Sequence, residues 1–193
     1  MKLKSKDLIN IGIFTALYML LAILVMSIAL TPILQIITMP LLSLLGAPIY
    51  LLYIAKVDKF GAITIMGFIC SAISGLFVFG SVLCFLVCFI FFVFAELIAF
   101  AGKYKNNKLN NLSYIIVSFW TVGVAGLPWT AKEFFREISL AGGYTEEWLQ
   151  GVERLATTQV LIYVIIAMII GSIISMFFSN RLFKKHFKKA GVL

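Results

Sequence analysis

A single histidine occurs among 193 residues, and it is His186, close to the end of the chain. A Ser-His-Asp or Cys-His device needs a base within reach of its nucleophile, and a helix-borne metalloprotease site needs clustered His and acidic ligands. Neither can be assembled, so no enzyme is expected. The three cysteines, Cys70, Cys84 and Cys88, all fall inside apolar runs. Cys84 and Cys88 are one helical turn apart but lack further ligands, so small apolar packing is the expected role and no metal or cofactor is called for. Charge is scarce as well. Charged residues make up 12% of the chain and hydrophobic ones 62%, where soluble domains are about 25% charged. With a mean hydropathy of +1.08, the composition is that of an integral membrane protein.

What is present is a set of long apolar runs bounded by charge or by Gly and Pro. They predict six membrane spans, at about 8–30, 41–55, 61–79, 82–101, 112–131 and 156–178. The first follows a basic tail and covers 23 residues, or ~35 Å of helix, without an A-x-A-like end. It reads as a retained span and not a cleaved signal peptide. Pro40 and Pro48 punctuate the second, leaving residues 32–39, with Gln35 and Thr38, as a short apolar connection that folds over or into the bundle.

The basic residues give this arrangement a direction. Thirteen of the sixteen Lys and Arg lie in alternate gaps: Lys2, Lys4 and Lys6; Lys56 and Lys59; Lys103, Lys105 and Lys108; and Arg181, Lys184, Lys185, Lys188 and Lys189. The other three, Lys132, Arg136 and Arg154, share one gap with five of the eight acidic residues. By the positive-inside rule the thirteen face the cytoplasm, both termini are inside, and the acidic 132–155 connection is outside. The net charge of +8 is then topogenic and attracts anionic lipid, and no nucleic-acid partner is expected.

Glu96 is the one ionisable residue of Asp, Glu, Lys, Arg or His inside a predicted span, where burial of charge is costly and marks candidate function. It lies six residues before Gly102, about 9 Å from the cytoplasmic end. Pairing with Lys103 or a neighbouring basic loop competes with a transport role. Small residues four apart, Gly67/Ser71/Gly75 and Ala167/Gly171/Ser175/Ser179, allow close helix packing. Gly12 and Ala16 form a shorter pair near the inner end of the first span, open to packing or to a partner.

The outer ends of the last two spans hold the most ligand-like chemistry. Gly126, Trp129 and Glu133 share a helix face beside Pro128, and Gln159 and Tyr163 are one turn apart. With Gln35 and Thr38 they outline a pocket with an aromatic wall, against the alternative of an interfacial aromatic belt. On helix periodicity, Trp129 is expected to matter more to a ligand than Trp120. The 132–155 loop reads as two amphipathic pieces around Gly142 and Gly143, a lid or an inert cap.

Four stretches carry a family resemblance: Lys6-Asp7-Leu8-Ile9-Asn10-Ile11-Gly12-Ile13-Phe14-Thr15-Ala16; Lys56-Val57-Asp58-Lys59-Phe60-Gly61; Ala95-Glu96-Leu97-Ile98 with Gly102-Lys103-Tyr104-Lys105; and Leu182-Phe183-Lys184-Lys185-His186-Phe187-Lys188-Lys189-Ala190-Gly191. They resemble the MptS-type (Trep-Strep) bacterial membrane family, itself similar to the S components of energy-coupling factor (ECF) importers. The resemblance implies an all-α, six-helix bundle in the bacterial cell membrane that captures a micronutrient, such as a vitamin or precursor, at its outer end. It further implies delivery by toppling on a transmembrane coupling protein driven by two cytoplasmic ATPases, with Gly12 and Ala16 at the docking face. Trp129, Glu133, Gln159, Tyr163, Gln35 and Thr38 would surround the ligand. The competing expectations are a stand-alone carrier or facilitator using Glu96, and a non-transporting assembly protein. No riboflavin, thiamine, biotin or folate signature is present.

Overall fold

The computed structural model describes residues 3–78 and 81–183; the basic tail from Lys184, with His186 and most of the closing motif, lies outside the described residues. Among those described, the chain is helical with short links and no strand. In order, the elements are α1 (Ser5–Met26), α2 (Pro32–Leu45), α3 (Ala47–Lys56), α4 (Ala62–Phe77), α5 (Val82–Ala101), α6 (Asn107–Ser118), a 3₁₀ turn (Phe119–Thr121), α7 (Val122–Ala125), α8 (Leu127–Thr130), α9 (Lys132–Ala141), α10 (Glu146–Leu155) and α11 (Thr158–Leu182). Three helices, α1, α5 and α11, are long and apolar enough to cross a membrane, and the pair α2–α3, bent by 40°, makes a fourth if counted as one span. The two other expected spans correspond to α4, 16 residues long, and to the broken run α6–α8.

Two boundaries differ from the sequence reading, for local reasons. Residues 32–39 are helical. Thr31 caps α2 by accepting from Leu34 N at 3.3 Å, and Pro32 occupies the first turn, where its missing N–H costs nothing. Pro40 is accommodated inside α2, and the break falls at Gly46. The α6 helix likewise begins at Asn107 instead of near 112, because the Asn106 side chain accepts from the N–H groups of Lys108 and Leu109. The 132–155 segment forms two helices as expected. Between them, Gly143 (φ +87°) completes a Schellman turn, with Tyr144 N donating to Ser139 O at 3.0 Å and Gly143 N to Leu140 O at 3.1 Å.

Packing centres on α5. A Cβ on Gly67 would lie 2.2 Å from Phe92 Cβ, and one on Gly123 would lie 2.4 Å from Cys88 Sγ, so α4 and α7 approach α5 through glycine notches on two sides. Gly171 brings α11 onto α2 at Pro40 and Leu44. These small residues serve packing within the chain, as do buried Cys70, Cys84 and Cys88. Buried hydroxyls cross-link the bundle: Tyr50 and Ser113 are hydrogen-bonded at 2.7 Å, Ser113 donates to Ala95 O at 2.8 Å, and Tyr114 donates to Ser43 O at 2.6 Å. Gly12 is different, since a Cβ there would meet nothing within 4 Å; both it and Ala16 are exposed on α1.

Candidate ligand-binding site

The up-and-down path of the helices gathers the ends of α1 and α4, the 3₁₀ turn, α7 and the start of α8 at one end of the bundle, beneath α9 and α10. Amphipathic α9 and α10 turn Phe135, Leu149 and Val152 inward onto Val78, Cys84 and Leu127. The close contact of Gly151 with Pro32, where a Cβ would sit 2.5 Å from Pro32 Cγ, seats α10 on the start of α2. Arg136 on α9 donates to Glu153, at 3.2 Å, and to Glu146 on α10. The hydrogen bond to Glu153 and the nearby Glu146 hold the guanidinium pKa above its ordinary value, so this clasp stays charged. Half-exposed as it is, it positions the cap more than it stabilises it.

Between cap and bundle lies a cavity of about 520 Å³, within the range of small-molecule sites. Met19 and Trp120 form its deep end, and Phe135, Tyr144 and Trp148 its aromatic side. Tyr144 and Trp148 are stacked at 4.1 Å between ring centroids with an interplanar angle of 28°, and Phe135 lies 6.2 Å from Trp148. Gln35, Ser74 and Ser139 reach the cavity wall. No Asp, Glu, Lys, Arg or His is among the described residues that line it.

Of the six residues expected to surround a ligand, Gln35 alone lines this cavity. Thr38 is fully buried, its hydroxyl donating to Gln35 O at 2.7 Å within α2. Trp129 is half-buried against a separate apolar cluster and donates its indole N–H to Thr157 O at 2.9 Å, tying α8 to the α10–α11 link. Glu133 and Gln159 are exposed, and Tyr163 is 67% exposed on the outer face of α11. Of the two tryptophans weighed in the sequence, it is Trp120 that lines the cavity, although periodicity ranked it below Trp129. The 3₁₀ turn at Phe119–Thr121 and the break at Gly126 put the two indoles on different structural pieces, so a continuous-helix register does not relate them. A readable signal existed: Trp120 lies in mid-span between Ser118 and Thr121, away from any interfacial belt.

At the opposite end the opening stretch, the second turn and the Glu96–Tyr104 stretch come together. Asp7 accepts from Lys4 N at 2.7 Å and pairs with the largely buried Lys59. Glu96, 1% exposed, is paired with neither Lys103 nor another cation among the described residues: it accepts from Thr64 N at 2.9 Å, from Thr64 Oγ1 at 3.3 Å and from the Tyr104 phenol. The N-cap of α4 is Gly61, which has no side chain to offer, so the carboxylate of α5 satisfies a first-turn N–H of α4 and faces the positive end of its dipole. Burial first, and then the bond to Glu96, raise the Tyr104 pKa, so it stays a phenol that donates. Lys103 and Tyr104 both have positive φ, 49° and 59°, and their turn is held by Tyr104 N to Ala99 O at 3.0 Å and by Asn110 Nδ2 to Tyr104 O at 2.8 Å. Opening motif thus meets second turn, and Glu96 meets Tyr104. Among the described residues no three His, Cys, Asp or Glu side chains form a metal-binding group.

Fold and cavity together define an all-helical, multi-pass membrane protein with a capped, uncharged cavity of small-molecule size at one end. The chain belongs to the family described as hypothetical bacterial integral membrane proteins (Trep_Strep), whose profile matches residues 5–189. Comparison with curated proteins and with solved structures returned no match.

Proposed function

We propose that this chain is the substrate-capture subunit of an ECF-type importer, an S component that takes a vitamin, precursor or similar nutrient from outside. In this reading the chain crosses the bacterial cell membrane six times with both termini inside. The α9–α10 cap faces outward, and the basic end faces the cytoplasm and its anionic lipid. The observation that carries the reading is the capped 520 Å³ cavity at the end opposite the Asp7–Lys59 and Glu96–Tyr104 contacts. A stand-alone carrier would use Glu96, but that carboxylate is committed to Thr64 and Tyr104 and is remote from the cavity lining. The test is native mass spectrometry of freshly purified protein, which is expected to retain a small molecule. Failure of any metabolite to co-purify or to stabilise the protein would favour an assembly role instead.

A capture subunit needs a face for the coupling protein that its two ATPases drive. Exposed Gly12 and Ala16, with no neighbour above Gly12, offer a smooth groove on α1 that packing within the chain does not use. Replacing both with Leu is expected to reduce energised uptake and association with the coupling module while leaving ligand retention intact. Unchanged association would remove the docking assignment.

A further inference from the structure

We infer that the cavity takes an uncharged, largely apolar ligand whose polar groups are met by the Gln35 amide and the Ser74 and Ser139 hydroxyls; this rests on the capture reading above. Two observations lead there. The first is the absence of any ionisable acid or base among the described lining residues. A carboxylate, phosphate or ammonium group brought against this largely apolar wall would give up part of its water without gaining a counter-ion.

The second is that the polar groups on the wall are neutral and uncommitted. The Gln35 amide and the Ser74 and Ser139 hydroxyls line the cavity, and no hydrogen bond to another described residue engages them. Each can donate and accept, which suits ligand carbonyl, amide or ring-nitrogen groups.

The apolar body of such a ligand would lie against Met19, Phe135 and the Tyr144–Trp148 stack.

Four matched probes test this by titration calorimetry on the detergent-solubilised full-length chain with micelle blanks: 2-naphthamide, 2-methylnaphthalene, 2-naphthoate and 2-naphthylmethylammonium. The amide is expected to bind at least tenfold more tightly than either ion. Gln35→Met keeps the side-chain length and removes the amide; it is expected to weaken the 2-naphthamide about fivefold, the scale of one net hydrogen bond, and to leave 2-methylnaphthalene unchanged. Retained binding of the latter shows that the variant cavity is intact. Equal or tighter binding of an ion would overturn the ligand class and leave capture standing. An equal loss for both neutral probes, or no loss for either, would overturn the role of Gln35. Binding by none of the four would overturn the capture reading as well.

Discussion

Gly67→Ala is expected to lower the thermal unfolding temperature of the purified protein by about 2–12 °C, on an overpacking penalty of roughly 1–3 kcal/mol for a chain of this size, whereas Gly12→Ala leaves it unchanged or raises it. The two substitutions add the same methyl group to a helical glycine, so any intrinsic gain in helix propensity is shared. They differ in what the methyl meets. At Gly67 it would lie 2.2 Å from Phe92 Cβ, an atom fixed to the backbone of α5, so α4 must move away and lose its close contact. Shortening the neighbour does not help, because Phe92→Ala keeps that same Cβ. The double variant is therefore expected to be no more stable than Gly67→Ala. At Gly12 the methyl enters open space. Equal shifts for Gly67→Ala and Gly12→Ala would mean that α5 is not clasped as described.

Glu96→Leu is expected to destabilise the protein by about 3 kcal/mol, the scale of losing charge-assisted hydrogen bonds that leave buried donors unpaired. The carboxylate links three elements: it caps the first turn of α4, belongs to α5, and anchors the Tyr104 turn that follows α5. Without it, Thr64 N–H and the Tyr104 phenol lose their acceptor, and the two consecutive residues at positive φ lose the side-chain bond that holds them. Glu96→Gln retains an acceptor oxygen and falls between wild type and Leu. Tyr104→Phe is expected to cost less than Glu96→Leu, and adding it to Glu96→Leu to cost little more, because both act through one bond. Ligand retention should persist in Glu96→Gln. Uptake by the chain alone in liposomes, abolished by Glu96→Gln at unchanged stability, would instead revive the carrier mechanism.

The sequence was most readable where one physical term dominates. Apolar length alone located α1, α5 and α11, whose observed bounds fall within a few residues of those expected. The amphipathic pattern around Gly142 and Gly143 marked α9 and α10 because period and turn chemistry agree there. The start of α2 was misread by giving Pro40 the weight of a breaker, although the helix carries it in its interior and Thr31 before Pro32 is a helix-start signal. The cavity was harder to see. Its lining comes from segments far apart in sequence, and assigning Trp120 to it required knowing that the helix after Ser118 tightens and breaks. Tyr163 and Gln159 satisfied the periodicity argument but face away from the bundle, because spacing along a helix gives a shared face and not which neighbour that face meets.

The bend between α2 and α3 has a bearing on how the protein is made. At this break the carbonyl of Ser43 is taken up by the Tyr114 hydroxyl, 71 positions later in the chain. Synthesis delivers the N-terminal part first, so the early hairpin enters the bilayer with that carbonyl unsealed. The molecule is therefore completed in reverse: α6, a late arrival, finishes a joint begun by α2. A ribosome stall or truncation before Tyr114 should yield a segment that inserts without acquiring its final angle.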